Sequence, residues 1–191
     1  MSQIEKKNLE INSTDWRQRN YSIRDAVLTE KGKEQCRALS SAFQHHEDID
    51  IVFASPLRRT IQTASLSFGP VLARKEVPFV LLPALQEVSN IGCDVGMADT
   101  ADDVHAFLPN LFAEGELDFD ISKVDASAVT AGWNSKVSRS PGLTSACMLT
   151  NASQEDYWAY EKRAISKRAS DLRNWLYQRP EAQVKLPLVS S

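Results

Sequence analysis

The sequence predicts an α/β fold in which a sheet lies between two layers of helices, a three-layer sandwich. Two observations support this prediction. Apolar residues with helical spacing alternate along the chain with short apolar runs that are typical of buried strands. A strand, a tight Ser-Pro turn and the first turns of a helix also follow one another directly at 49–66. The chain has 191 residues, enough for one domain with a substantial core.

The first element after a polar arm is an amphipathic helix. Residues 1–27 are polar and poorly periodic, and we interpret them as an N-terminal arm. Thr29 is a candidate N-cap, with Leu28 before it as a hydrophobic staple. Three- and four-residue spacing predicts one buried face on this helix, made of Cys36, Leu39, Ala42 and Phe43.

Two strands and a helix are predicted next. The apolar run at 50–54 is typical of a buried strand, and the helix that follows is expected at about 57–68, closed by Gly69-Pro70. Residues 77–82 form a second candidate strand, which Pro78 weakens.

The second half of the chain is less regular. A helix is expected at about 101–113, an irregular insertion at 114–151, and a long amphipathic helix at about 153–178. Residues 184–189 are the last candidate strand. We therefore expect one domain at 28–191.

Composition excludes several classes of function. The net charge of −3 gives no basic field for nucleic acid, and no segment approaches the roughly 18 apolar residues of a membrane span. Three cysteines without CxxC spacing argue against a disulfide framework or a zinc site. The charged start has no apolar core of a signal peptide. We expect a cytoplasmic protein, with the nucleus as an additional location.

The segment Ser55–Ala64 is the most informative in the chain. Arg58 and Arg59 lie in the first turn of the predicted helix, where unpaired N–H groups and the helix dipole favour an anion. An arginine fork binds two phosphate oxygens at once. The alternative is a helix capped by Ser55, with Pro56 at its first position and both arginines in water.

This segment and others in the same order resemble motifs of the histidine phosphatase superfamily, in its phosphoglycerate-mutase-like branch. The resembling segments are Leu28–Cys36, Ser55–Ala64, Leu85–Glu87, Trp133–Lys136 and Arg173–Leu176. The similarity extends over roughly 20–180. It implies a mostly parallel sheet, no cofactor or metal, and metal-independent hydrolysis of phosphate monoesters.

The resemblance also implies roles for three residues. Arg59 matches the arginine of the phosphate pocket, and Arg58 is its neighbour, expected at the rim because adjacent helical residues point about 100° apart. Glu87 matches the acid/base glutamate. Alternatively, Glu87 is a loop carboxylate that pairs with Arg59.

The catalytic histidines of that family have no counterpart here. The sequence contains only His45, His46 and His105, none of them in a matching motif. Extending the register backwards places the first family motif near Met1 and Ser2. The second would follow the strand at 184–189. We therefore expect the first strand of the sheet to be missing, which the arm or a homodimer would have to compensate.

Three functional hypotheses follow. In the first, the chain has lost most of its phosphatase activity and is a pseudoenzyme. In the second, it is an active phosphatase with a substitute nucleophile, for which Cys93 is a candidate. In the third, it is a non-catalytic module that binds a phosphorylated ligand. The expected partner in each case is a phosphorylated small molecule, not nucleic acid or a membrane.

Overall fold

A parallel sheet and the helices around it form the described part of the protein. The computed structural model describes residues 21–136 and 157–179. The helices and strands are α1 (Glu30–Ala42), β1 (Val52–Ala54), α2 (Arg58–Ser67), α3 (Gly69–Leu72), β2 (Phe79–Leu81), α4 (Ala101–Phe107), β3 (Val124–Asp125) and α5 (Lys162–Tyr177).

The three strands are all parallel and lie in the order β1-β2-β3. Val52 is opposite Phe79 in the register, and Phe79 is opposite Val124. The α/β prediction is confirmed. The predicted strand at 184–189, and the arm before residue 21, lie outside the described residues.

Successive side chains of β1 face opposite sides of the sheet, and a layer of helices lies on each side. Val52 and Ala54 are buried in the main core together with Ile61 of α2. Phe53 points to the other face of the sheet, because successive strand residues alternate. There its ring meets Trp175 of α5 edge-on, with centroids 5.5 Å apart. Helices therefore cover both faces.

The predicted α1 is present, although its apolar face is narrower than expected. Thr29 is the N-cap as predicted, since its Oγ1 accepts a hydrogen bond from the N–H of Gly32 at 3.2 Å. Cys36 is buried, but the predictions for Leu39 and Ala42 are wrong, because both residues are exposed, Leu39 by 48%. The helix packs mainly on α2, so only part of its apolar face is covered.

Two predicted helices are shorter in the structure. A capping box of Thr100 and Asp103 starts α4, and the chain tightens into a 3₁₀ turn at Leu108–Asn110, where Pro109 cannot continue the α-helical bonding. The long C-terminal helix starts at Lys162, because residues 159–161 leave the helical conformation.

Part of the predicted insertion at 114–151 belongs to the core. Residues 124–125 form β3. This strand is too short to show in the sequence the alternation of apolar and polar residues that predicts a strand. Trp133 is fully buried, and its indole N–H donates to the carbonyl oxygen of Ala98 at 2.9 Å.

Gly96 allows that indole to lie against the backbone. A Cβ at position 96 would lie 2.5 Å from Cζ2 and 2.6 Å from Cη2 of Trp133. We expect Gly96→Ala to lower the free energy of unfolding by about 1–3 kcal/mol, because a fully packed ring has no room to shift.

Urea denaturation of the chain measures this effect. Gly69→Ala is the matched control, since the nearest atom to its new Cβ would be 3.9 Å away. An equal loss of stability in both variants would contradict the packing argument.

Candidate functional site

The Ser-Pro turn and the first turn of α2 form the centre of the candidate site. The helix begins at Arg58 with Leu57 as its N-cap residue, and no side chain of its own segment caps it. Capping by Ser55 is therefore wrong. The Thr60 hydroxyl stabilises the turn, because its Oγ1 is 2.7 Å from the carbonyl oxygens of both Ser55 and Leu57 and its one hydrogen is shared between them.

A distant carboxylate caps the helix instead. Asp25 is fully buried, and its Oδ1 accepts a hydrogen bond from the Arg58 N–H at 2.9 Å. Its Oδ2 accepts one from the N–H of Met97 at 3.0 Å. Burial raises the pKa of Asp25, while these N–H groups and the neighbouring arginines act against that rise. One carboxylate thus joins three separate segments.

Arg58 is part of this arrangement. Its Nε donates to the backbone carbonyl oxygen of Asp25 at 2.8 Å and lies 3.8 Å from the carboxylate. About a quarter of its side chain is exposed. Asp25 has a φ of 45°, a left-handed conformation that aspartate tolerates better than most residues. Sequence reasoning missed Asp25, because it stands in the aperiodic arm.

Arg59 and Glu87 lie together, as both sequence interpretations required. Arg59 Nη2 is 3.0 Å from Oε1 of Glu87 and 3.0 Å from Oδ1 of Asp94. Its Nη1 donates to the carbonyl oxygen of Cys93. The Arg59 side chain is 22% exposed and that of Glu87 is 46% exposed. The guanidinium is thus held by two carboxylates and remains accessible to solvent.

The segment after Glu87 supplies the second carboxylate. Ser89 donates its hydroxyl to Oδ2 of Asp94 at 2.5 Å. The Cys93 thiol lies 3.5 Å from Oδ1 of the same carboxylate. Burial and the nearby Asp94 charge raise the pKa of Cys93. A thiol with a raised pKa is a poor nucleophile near neutral pH.

Lys136 is a buried cation beside these groups. Its Nζ donates to the backbone carbonyl oxygen of Glu87. Burial, reinforced by the charge of Arg168, lowers its pKa to about 8, while the charges of Asp94 and Glu87 act in the opposite direction. The sequence analysis included Lys136 in a segment that resembles the family, but it did not predict the contact between Lys136 and the Glu87 loop.

The three histidines lie at the opposite edge of the sheet. Arg59 and Glu87 follow the carboxyl ends of β1 and β2. His45 and His46 precede β1, and His46 Nε2 is 2.8 Å from the carbonyl oxygen of Ser40. His105 on α4 is 3.2 Å from the carbonyl oxygen of Val124, the first residue of β3.

Two further observations concern other classes of site. Within residues 21–136 and 157–179, no group of three or more His, Cys, Asp and Glu side chains is arranged to hold a metal ion. In the same part of the chain, no helix is both long and apolar enough to cross a membrane.

Asp25→Ala tests the cap that positions α2. The variant leaves the partly buried N–H groups of Arg58 and Met97 without this acceptor and places alanine at a positive φ, so we expect a loss of about 2–5 kcal/mol in the free energy of unfolding. Asp120→Ala is the control. It removes an exposed carboxylate that accepts the Ser122 N–H at 2.9 Å, and we expect it to cost about 1 kcal/mol or less. Equal losses in urea denaturation would refute the structural role of Asp25.

Comparisons with known proteins identify the family. One relative is a protein of Schizosaccharomyces pombe that is named a probable phosphatase, 30% identical over 77 residues. That alignment covers 38% of this chain and 34% of the relative, so it spans about a third of the relative's length. The comparison with solved structures gave no match. The sequence profile of the histidine phosphatase superfamily, branch 1, matches residues 13–121, more than half of the chain. The chain therefore belongs to the histidine phosphatase superfamily, branch 1.

Proposed function

We propose that the chain binds the phosphoryl group of a phosphorylated small molecule at Arg59. The observation that carries this proposal is the position of the Arg59 guanidinium, which is partly exposed at the carboxyl edge of the sheet, in the first turn of α2. Ligands of open α/β sheets bind at this edge. Helix N-termini and arginine forks both favour phosphate oxygens.

In the structure, the guanidinium that would bind the phosphoryl group is paired with two carboxylates. Glu87 and Asp94 neutralise Arg59, so a phosphate dianion has to replace at least one of them. Glu87 is the more exposed of the two and the easier to displace. Its contact with Arg59 at 3.0 Å supports a role as the acid that donates a proton to the leaving oxygen of an ester.

We propose further that hydrolysis by this chain is slow or absent. Family chemistry passes through a phosphohistidine, and the three histidines of this sequence lie at the amino edge of the sheet, on the far side from Arg59. Electrostatic stabilisation by Arg59 and Lys136 without a nucleophile gives at most residual turnover.

Cys93 supports a second candidate function, an active phosphatase with a thiol nucleophile. Its backbone carbonyl binds Arg59, so the residue lies inside the site. The raised pKa of the thiol counts against it. If hydrolysis of p-nitrophenyl phosphate is measurable and Cys93→Ser abolishes it, this candidate replaces the first.

Arg59→Ala and Glu87→Gln should change phosphate binding in opposite directions. Loss of charge-assisted hydrogen bonds in Arg59→Ala should weaken binding of glycerol 2-phosphate by about 10- to 100-fold. Glu87→Gln removes the competing charge and should tighten that binding. Calorimetric titration measures both dissociation constants.

Arg163→Ala, an exposed arginine on α5, is the matched control and should leave binding unchanged. Equal affinity of the Arg59→Ala variant and the original chain would contradict the proposed phosphate site.

Phosphate binding should weaken as pH rises through about 8. The lowered pKa of Lys136 means that its ammonium group is charged below about pH 8 and neutral above it. A phosphate monoester has its second pKa near 6 and remains a dianion across this range. The attraction between the two is therefore present at pH 7 and reduced at pH 9.

Dissociation constants for glycerol 2-phosphate at pH 7, 8 and 9 test this prediction. In Lys136→Gln the dependence on pH between 7 and 9 should disappear. A pH dependence that is the same in this variant would show that another group causes it.

A further inference from the structure

A cavity lies between α5 and the carboxyl ends of β2 and β3. Its volume is about 380 Å³, within the range of small-molecule sites. Pro83 and Ala84 line it from the segment after β2, and Ala128 lines it from the segment after β3. Tyr157, Trp158 and Trp175 form its aromatic walls.

The walls suit a flat, uncharged ligand. Tyr157 and Trp158 meet edge-to-face with ring centroids 4.8 Å apart, the geometry that aromatic groups prefer, so a further ring has aromatic partners in this wall. Among the described residues of the lining, Asp171 is the one carboxylate, and Lys167 neutralises it at 2.9 Å. The cavity therefore offers apolar surface and little net charge.

Two connections place this cavity beside the proposed phosphate site. Ala84 in the lining is three residues before Glu87, so their Cα atoms are at most about 11 Å apart. Arg168 lies on α5 one turn before Asp171, and its charge acts on Lys136, which binds the Glu87 carbonyl oxygen. The same backbone segment, 82–87, thus borders both the cavity and the site.

We propose that the cavity binds the aromatic alcohol portion of a phosphate monoester whose phosphoryl group lies on Arg59. This inference rests on the proposed function and adds a substrate class to it. In this arrangement an ester with a one- or two-ring leaving group would place its ring in the cavity, whereas a short polyol phosphate would leave the cavity empty. The cavity thereby makes the site selective for aromatic esters.

Four probes separate the cavity from the phosphate site. 2-Naphthol tests the cavity alone, inorganic phosphate tests Arg59 alone, 2-naphthyl phosphate tests both together, and glycerol 2-phosphate is the ester without a ring. We expect 2-naphthyl phosphate to bind about tenfold more tightly than glycerol 2-phosphate in calorimetric titration. The proposal is wrong if the two esters bind equally.

Indole signals in nitrogen-edited NMR spectra locate the binding. The Nε1–H of Trp158 is buried and has no hydrogen-bond partner in the described part of the chain, so its signal should respond to a ring in the cavity. Trp133, whose Nε1–H is held by the Ala98 carbonyl oxygen, is the internal control and should not respond. 2-Naphthol should shift the signal of Trp158, and no shift at millimolar concentration would overturn the proposal.

Ala128→Phe tests the assignment to this cavity. Residue 128 is exposed at the cavity wall, so a larger side chain there can fill the space without disturbing the core. We expect the variant to lose the tenfold preference and to bind inorganic phosphate as before. Ala84→Leu fills the same space from the other wall if the first variant is unstable. A preference that survives in a folded, cavity-filled variant contradicts the assignment.

If the chain does not bind a phosphoryl group at Arg59, the same experiments give a different result from a failure of the cavity assignment. In that case inorganic phosphate does not bind and Arg59→Ala has no effect on either ester, while 2-naphthol alone still shifts the Trp158 signal. The cavity would then be a site for an apolar ligand without a phosphate partner, and the proposal of a shared ester site would be wrong.

Discussion

Burying the carboxylate of Asp25 costs free energy, and the fold offsets this cost by giving the carboxylate two backbone N–H donors from different segments. One of these donors is the first residue of α2. The position of that helix, and with it the side chain of Arg59, therefore depends on a residue from the N-terminal arm. The other donor, Met97, fixes the end of the loop that carries Cys93 and Asp94. The candidate site is assembled around this one buried group.

The charges within the site are balanced without a ligand. Arg59 has two carboxylate partners, and Lys136 is a buried cation with a lowered pKa. In the proposed complex, a phosphate dianion would give both cations a new partner and release a partly exposed carboxylate to water. Binding would then exchange one set of ion pairs for another, and would not have to create a charged pocket in an apolar interior.

Local sequence patterns predicted the elements whose signals are contained in a few residues. The strand, turn and helix around Ser55–Ala64, and the meeting of Arg59 with Glu87, follow from one compact segment and a family resemblance. Asp25, Asp94 and Lys136 could not be found in this way, because each acts through a contact with a segment more than 30 residues distant in sequence. Leu39 was misjudged for a related reason. Spacing shows that a helix has an apolar face, but only the packing of α1 on α2 determines how much of that face is covered.

A crystal structure of the chain grown with orthovanadate would test the central claim most directly. The account predicts a vanadate bound by the Arg59 guanidinium, with the Glu87 carboxylate displaced from its present distance of 3.0 Å and Lys136 directed to the anion. A structure in which Arg59 keeps its bonds to Glu87, Asp94 and the Cys93 carbonyl oxygen, with vanadate absent or bound elsewhere, would contradict it. The arginine would then be a structural tie between loops, and the phosphate site would have to be sought in another part of the protein.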